Sequence, residues 1–121
     1  MLRHADVIVS NFAVLDPQIL GAATILTVTN DLVAKQGRVD FNRLEIPKVF
    51  PAWLSNQLNE TAETCFVEAT VEPKFCGELS GVFSWRSTVS FFNFQLAFAL
   101  GYRKVLMVGF DHSYTQPSNV K

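Results

Sequence analysis

The sequence lacks the patterns typical of nucleic-acid-binding, membrane-spanning and zinc-binding proteins. Its ten Lys and Arg residues are scattered singly among eleven Asp and Glu, for a net charge of −1. A nucleic-acid surface requires a clustered basic stripe, so none is predicted. No apolar run approaches the roughly 20 residues of a membrane span. The two His and two Cys residues do not lie at metal-ligand spacing, so no zinc site is predicted.

Cysteine is also scarce. Cys65 and Cys76 are separated by ten residues. They are compatible with a disulfide or with two free thiols, and free thiols are the interpretation we favour. The amino-terminal stretch also lacks a small-residue cleavage site. Both features predict a cytoplasmic protein.

What is present predicts a folded core. The 121 residues are 49% hydrophobic and 17% charged, and eleven are Phe. This composition is too apolar for a disordered chain. The length predicts one domain over residues 1–121, which we interpret as an incomplete α/β domain of the nucleotide-binding type.

Local patterns give an order of elements for the first two thirds of the chain. Asn30 is predicted to cap a helix over 31–36 that stops at Gly37. The other predicted elements are strands at 5–12, 22–30, 48–50 and 64–73, the last at a sheet edge, and helical turns near 15–21 and 52–58.

The last third has the strongest pattern. Residues 87–100 are apolar on nearly every helical face, Gly101 is a suitable helix terminator, and "KVLMVGF" (104–110) follows as an apolar run. A helix leading into a buried strand is half of a βαβ unit. The predicted class is therefore α/β: a Rossmann-like, open, mostly parallel sheet with helices on both faces.

Polar residues stand where the predicted strands end. Asp111 and His112 follow the strand at 104–110, Asn11 and Asn30 end the first two strands, and Ser87 with Thr88 begins the long helix. Ligands of open α/β sheets bind beyond the carboxyl ends of the strands. Two interpretations remain: a shared site for a nucleotide or phosphorylated ligand, or separate caps, turns and solvated strand ends.

The run "RSTVSFFNFQLAFALGYRKVLMVGFDHSY" (86–114) resembles a block shared by two related groups. One group is the family 42 bacterial sialyltransferases. The other comprises proteins similar to the archaeal 6-hydroxymethylpterin diphosphokinase, many of which look like polysaccharide or flagellin-glycosylation proteins. In both, a helix ending in A-x-x-x-G-[YF]-[KR] precedes a strand ending in G-[IVF]-D.

The resemblance extends to "SNFAVL" (10–15) and "TNDLVAKQ" (29–36), but not to residues 38–80. It implies that Asn11 and Asn30 contact a nucleotide and that Ser87 and Thr88 lie near the anionic group of the donor. It places Asp111 at the floor of the nucleotide site. The family's Gly-Asn-Gly-Pro-Ser-like phosphate loop is missing, so we expect an internal piece of a larger bacterial enzyme.

These observations lead to three functional hypotheses. The first is a transferase, most closely a glycosyltransferase of surface-polysaccharide synthesis, with a cytidine or uridine nucleotide-sugar as donor. Asp111 or His112 would be its catalytic base or, with Mg²⁺, a metal ligand. The second is ATP-dependent pyrophosphoryl transfer to a pterin, which requires Mg²⁺. The third is a non-catalytic remnant or interaction domain. An incomplete sheet also predicts a homodimer that covers exposed surface.

Overall fold

The computed structural model describes residues 5–72, 75, 77–78, 81–84 and 88–108. Along these residues the chain forms β1 (Ile8–Ser10), a 3-10 helix (Asn11–Leu15), α1 (Pro17–Ala22), β2 (Ile25–Thr27), α2 (Asp31–Arg43), β3 (Lys48–Pro51), a second 3-10 helix (Ala52–Asn56), β4 (Thr64–Val67), β5 (Ala69–Thr70), β6 (Phe83–Ser84) and α3 (Val89–Ala99).

The first four strands form one sheet in the order β1-β2-β3-β4, and every neighbouring pair is parallel. The register aligns Ile8 with Ile25 and Val49 with Cys65. β5 and β6 form a separate parallel pair. The predicted α/β class with a parallel sheet is confirmed. Among the described residues β4 lies at the edge of the four-stranded sheet, but the edge strand predicted at 64–73 is divided into β4 and β5, which belong to different sheets.

Alternating side chains divide the core into two apolar layers. On one face of the sheet, Val9, Leu26 and Phe50 pack with α2 and both 3-10 helices. On the other face, the layer consists of Ile25, Val49 and Val67 from the sheet, Phe83 from β6, and Phe92 and Leu96 from α3. Helices therefore cover both faces, an arrangement consistent with a Rossmann-like fold. In the described residues no helix is long and apolar enough to cross a membrane.

The prediction that Gly37 ends a helix is wrong. α2 begins at the Asn30 cap as expected but continues to Arg43. Gly37 is buried within it, and a Cβ built there would collide with Cε2 of Phe41. The Phe41 ring is fully buried and stacks on Phe12, with 5.7 Å between ring centroids. Gly37 thus makes room for a core ring one turn later.

α3 has the predicted helical ends. Thr88 is the N-cap, and its Oγ1 accepts a hydrogen bond from the backbone N–H of Phe91. At the other end Gly101 has a φ of +94°. The N–H groups of Gly101 and Tyr102 bond to the carbonyls of Phe98 and Ala97, which is the Schellman pattern. The prediction that α3 is packed nearly all round is only partly met, because Phe98 is 62% exposed.

One fully buried polar side chain of α3 completes the edge of β6. Gln95 donates from Nε2 to the carbonyl of Ser84 at 2.7 Å and to that of Phe91 at 3.2 Å. Its Oε1 accepts from the N–H of Ser84 at 2.9 Å. The carboxamide therefore pairs with both backbone groups of Ser84, as a neighbouring strand would.

The predicted central strand at 104–110 is wrong over 104–108. These residues form no strand, and the side chains of Val105 to Val108 are 52–77% exposed. A run of apolar residues becomes a strand only where a neighbouring strand accepts its backbone hydrogen bonds, and no described strand pairs with it. The segment begins near the amino end of the sheet, since the Tyr102 hydroxyl donates to the carboxylate of Asp6. Residues 109 and 110 lie outside the described residues.

Candidate functional site at the carboxyl edge of the sheet

The parallel strands carry the candidate residues to one edge of the sheet. Asn11 directly follows β1, Asn30 lies three residues after β2, and Trp53 lies two residues after β3. Because the strands are adjacent and parallel, their carboxyl ends meet at the same edge. The structure therefore places Asn11 and Asn30 on a common rim.

Asn11 has two unusual features. Its φ is +62°, the left-handed region that non-glycine residues seldom occupy. Its Oδ1 is buried and has no hydrogen-bond partner among the described residues. A left-handed conformation costs about 1–2 kcal/mol for most non-glycine residues and less for Asn, and an unmet buried acceptor costs about 1–3 kcal/mol. Such costs concentrate at ligand sites, where the strained group is held ready for its partner.

A closed triangle of hydrogen bonds fixes α3 over the carboxyl ends of β1 and β2. Thr27 Oγ1 donates to Asn93 Oδ1 at 2.7 Å, and Asn93 Nδ2 donates to Ser10 Oγ at 2.9 Å. Ser10 Oγ and Thr27 Oγ1 are 2.6 Å apart. Since the Thr27 hydrogen is used on Asn93, the Ser10 hydroxyl is the donor in this last bond. Each hydroxyl then donates once and accepts once.

The triangle also locates Thr88. Asn93 lies in the second turn of α3 and contacts the carboxyl ends of β1 and β2. The first turn of the helix and its N-cap consequently lie beyond those ends, at the same carboxyl edge of the sheet as Asn11. Thr88 Oγ1 accepts from Phe91 N at 3.4 Å, so its hydroxyl hydrogen is not used in the cap.

A pocket of about 420 Å³ lies at the same edge, between the ends of β2 and β3. It is lined by Thr29, Asn30, Asp31 and Trp53. Asn30 Oδ1 accepts from the N–H of Val33 at 3.1 Å, so the side chain is a true helix cap. That bond leaves its Nδ2 group as a donor. Asn30 therefore serves as a cap and lines a pocket, two functions that the sequence analysis treated as alternatives.

Among the residues that the structure describes, the two groups with shifted pKa values, Lys48 and Tyr102, lie at the amino edge of the sheet. Burial lowers the pKa of Lys48, at the start of β3, although Glu63 and Glu45 oppose that shift. A hydrogen bond to Asp6 raises the pKa of the exposed Tyr102. In the described part of the chain, the carboxyl edge near β1, β2 and β3 presents amides, hydroxyls, the Asp31 carboxylate and an indole, and Glu68 follows β4 at the same edge. These groups suit hydrogen bonding and stacking to a ligand.

Three of the candidate residues, Ser87, Asp111 and His112, lie outside the described residues. Their predicted roles remain predictions, and for Asp111 and His112 the strand that was to carry them is not formed over 104–108. Among the described residues, no three His, Cys, Asp or Glu side chains come together as a metal site would require.

The sequence analysis missed Trp53 and Asn93. Asn93 is separated from Ser10 by 83 positions and from Thr27 by 66, so no local pattern relates them. Trp53 could have been found, because a short strand was predicted at 48–50 and a residue soon after a strand end belongs to the same rim. Comparisons with family models, with curated proteins and with solved structures find no match.

Proposed function

We propose that this chain binds the nucleotide of an activated donor in a transferase, most closely a glycosyltransferase of surface-polysaccharide synthesis. The observation that carries the proposal is Asn11, a strained residue with a buried unmet acceptor at the carboxyl end of a parallel strand. The resemblance over 10–15, 29–36 and 86–114 gives the reaction class. A cytidine or uridine nucleotide-sugar is the proposed donor.

The chemistry asks little of the protein beyond binding. Glycosyl transfer needs a held leaving nucleotide, hydrogen-bond donors for its phosphates, and one base for the acceptor hydroxyl. Thr88 and the amino end of α3 lie at the same carboxyl edge as Asn11, where they supply hydrogen-bond donors and a favourable dipole for an anion. Asp111 and His112 keep their proposed role as the base, and Ser87 its proposed place beside the phosphate.

A thermal-unfolding panel tests the proposal. CMP and UMP without metal should each raise Tm, whereas ATP should do so less. For a dissociation constant of about 1 mM, about 10 mM ligand adds about 1.4 kcal/mol, which corresponds to several degrees in a chain of this size. Stabilisation by ATP only in the presence of Mg²⁺ would support the pterin pyrophosphokinase alternative. No response to any nucleotide would favour the non-catalytic one.

Asn11→Gly gives the sharper version of this test. Glycine accepts the positive φ without strain and removes the unmet oxygen, so the variant should unfold at a higher temperature than the wild type. If Asn11 binds the nucleotide, the same variant should lose the nucleotide-induced rise in Tm. Asn59→Gly, at an exposed position that does not line the pocket, is the control. Gain of stability with full nucleotide response would contradict the assigned role.

We also propose a homodimer. The outer edge of β1 pairs with no strand among the described residues, and the exposed run Val105–Val108 is apolar. Unpaired edges and apolar surface favour association of like chains. Leu106→Lys should then shift sedimentation toward the monomer. A wild-type monomer at high concentration would refute this.

The cytoplasm is the proposed location, and the exposed free thiol of Cys65 is consistent with it.

A further inference from the structure

We infer that the pocket between the ends of β2 and β3 binds the nucleoside part of the donor, with Trp53 stacking on the base and Asp31 accepting from the ribose hydroxyls. This inference rests on the proposed function and adds two residues and a binding direction to it. The pocket has a volume of about 420 Å³ and is a shallow depression open to solvent, so a nucleoside bound there would lie on the surface of the protein and not in an enclosed cavity.

Trp53 is held in a position suited to stacking. It lies in the 3-10 helix that directly follows β3, and part of its indole packs against the core layer that contains Leu54 and Phe50. The rest lines the pocket. A half-buried indole that lines the pocket can stack on a base at little conformational cost, because its packing against the core already orders it.

Asp31 determines which end of a nucleotide enters. Asp31 is the first residue of α2, and its carboxylate already lies at the positive end of that helix dipole. A phosphate in the same pocket would meet a like charge, so the pocket excludes the anionic part of the donor. Ribose hydroxyls are donors, and the Asp31 carboxylate is an acceptor for them.

The binding direction follows from these two residues. The nucleoside lies over β2 and β3, with Asn30 Nδ2 as a neighbouring donor. The phosphates then extend away from Asp31, toward β1, where Asn11, Thr88 and the amino end of α3 lie. No charged side chain of β1 or of the first turn of α3 opposes an anion there.

Titration with CMP, 2′-deoxy-CMP and ribose 5-phosphate tests the inference, with binding followed by calorimetry. Trp53→Leu should weaken CMP binding at least about fivefold, as expected for loss of one stacked base, and Trp53→Phe should retain most of it. Asp31→Asn should reduce the preference for CMP over 2′-deoxy-CMP. Asp40→Asn, on an exposed part of the same helix, should leave both affinities unchanged. Ribose 5-phosphate, which lacks a base, should bind weakly to all.

The outcomes separate the two claims. If the wild type binds CMP and the Trp53 and Asp31 variants bind it equally well, the pocket assignment is overturned while the proposed function stands. If the wild type binds no nucleotide, the proposed function fails first. Because Trp53→Leu also removes core contacts, its unfolding without ligand is measured in parallel, and Asp31→Asn gives an independent result at an exposed side chain.

Discussion

Replacing Gln95 by Leu should be among the costliest single changes to the stability of this domain. Leu has a similar size but can pair with neither the N–H nor the carbonyl of Ser84, and both Ser84 and Gln95 are fully buried. Each backbone group left unpaired costs about 1–3 kcal/mol. Burying an apolar side chain in place of an amide recovers about 1–2 kcal/mol of that loss. With the middle of each range, two unpaired groups cost about 4 kcal/mol and the recovery is about 1.5 kcal/mol, so we expect a net loss of about 2.5 kcal/mol in the free energy of unfolding.

Urea unfolding followed by circular dichroism measures this loss. With an m value of about 2 kcal/mol per M, the midpoint should fall by about 1–2 M. Gln36→Leu, on the exposed side of α2, is the matched control and should change stability by less than about 0.5 kcal/mol. A loss below about 1 kcal/mol for Gln95→Leu would show that water or a shifted backbone satisfies Ser84, and the argument would fail.

Gln95→Glu adds a pH signature to the same test. At neutral pH the new carboxylate faces two carbonyl oxygens, and burial raises the pKa of such an acid in the folded state. A raised folded pKa means that the folded state takes up a proton first, so the variant gains stability as pH falls toward about 4.3. Unfolding measured at several pH values should show the deficit shrinking on acidification, which Gln95→Leu should not show.

Three further predictions concern helix packing, the polar triangle and buried charge. Gly37→Ala should destabilise the domain by about 1–3 kcal/mol in thermal unfolding despite its better helix propensity, because the added Cβ meets the Phe41 ring. Gly21→Ala is the control: its Cβ has nothing within 4 Å, so this change should be neutral or stabilising. Asn93→Ala should cost about 1–3 kcal/mol in urea unfolding by breaking the triangle, and an unchanged midpoint would contradict it. Lys48 has a lowered pKa in the folded state, so stability should rise with pH between that value and about 10.5. Lys48→Met should remove this rise, and an identical pH profile in variant and wild type would exclude the explanation.

The elements that could be predicted are those whose signals are local. Asn30 followed by a helical pattern correctly marked the start of α2, and Gly101 correctly marked the end of α3. Gly37 misled because its role depends on the Phe41 ring packing against it, a contact that propensity does not contain. The apolar run at 104–108 misled because hydrophobicity indicates burial but does not identify the strand that must pair with it.

The candidate site, too, could be predicted only where its signals are local in the sequence. Asn11 and Asn30 were found because polar residues after apolar strands are visible in the sequence. Their geometry was not: the positive φ of Asn11 and the double use of Asn30 required coordinates. The Ser10–Thr27–Asn93 triangle brings together residues from three elements far apart in the chain, and its members are unremarkable when read in order.

The elements on the two faces of the sheet flank one strand end from both sides. The connections from β1 to β4 run over one face, and α3 lies on the other. α3 runs antiparallel to β1, since Asn93 in its second turn contacts Ser10 at the carboxyl end of β1, and Tyr102 after its last turn contacts Asp6 before β1. The start of α3 and the 3-10 helix after β1 therefore meet the same end of β1 from opposite faces. A ligand bound at that end would be contacted from both faces of the sheet, beginning at Asn11, the first residue after the strand.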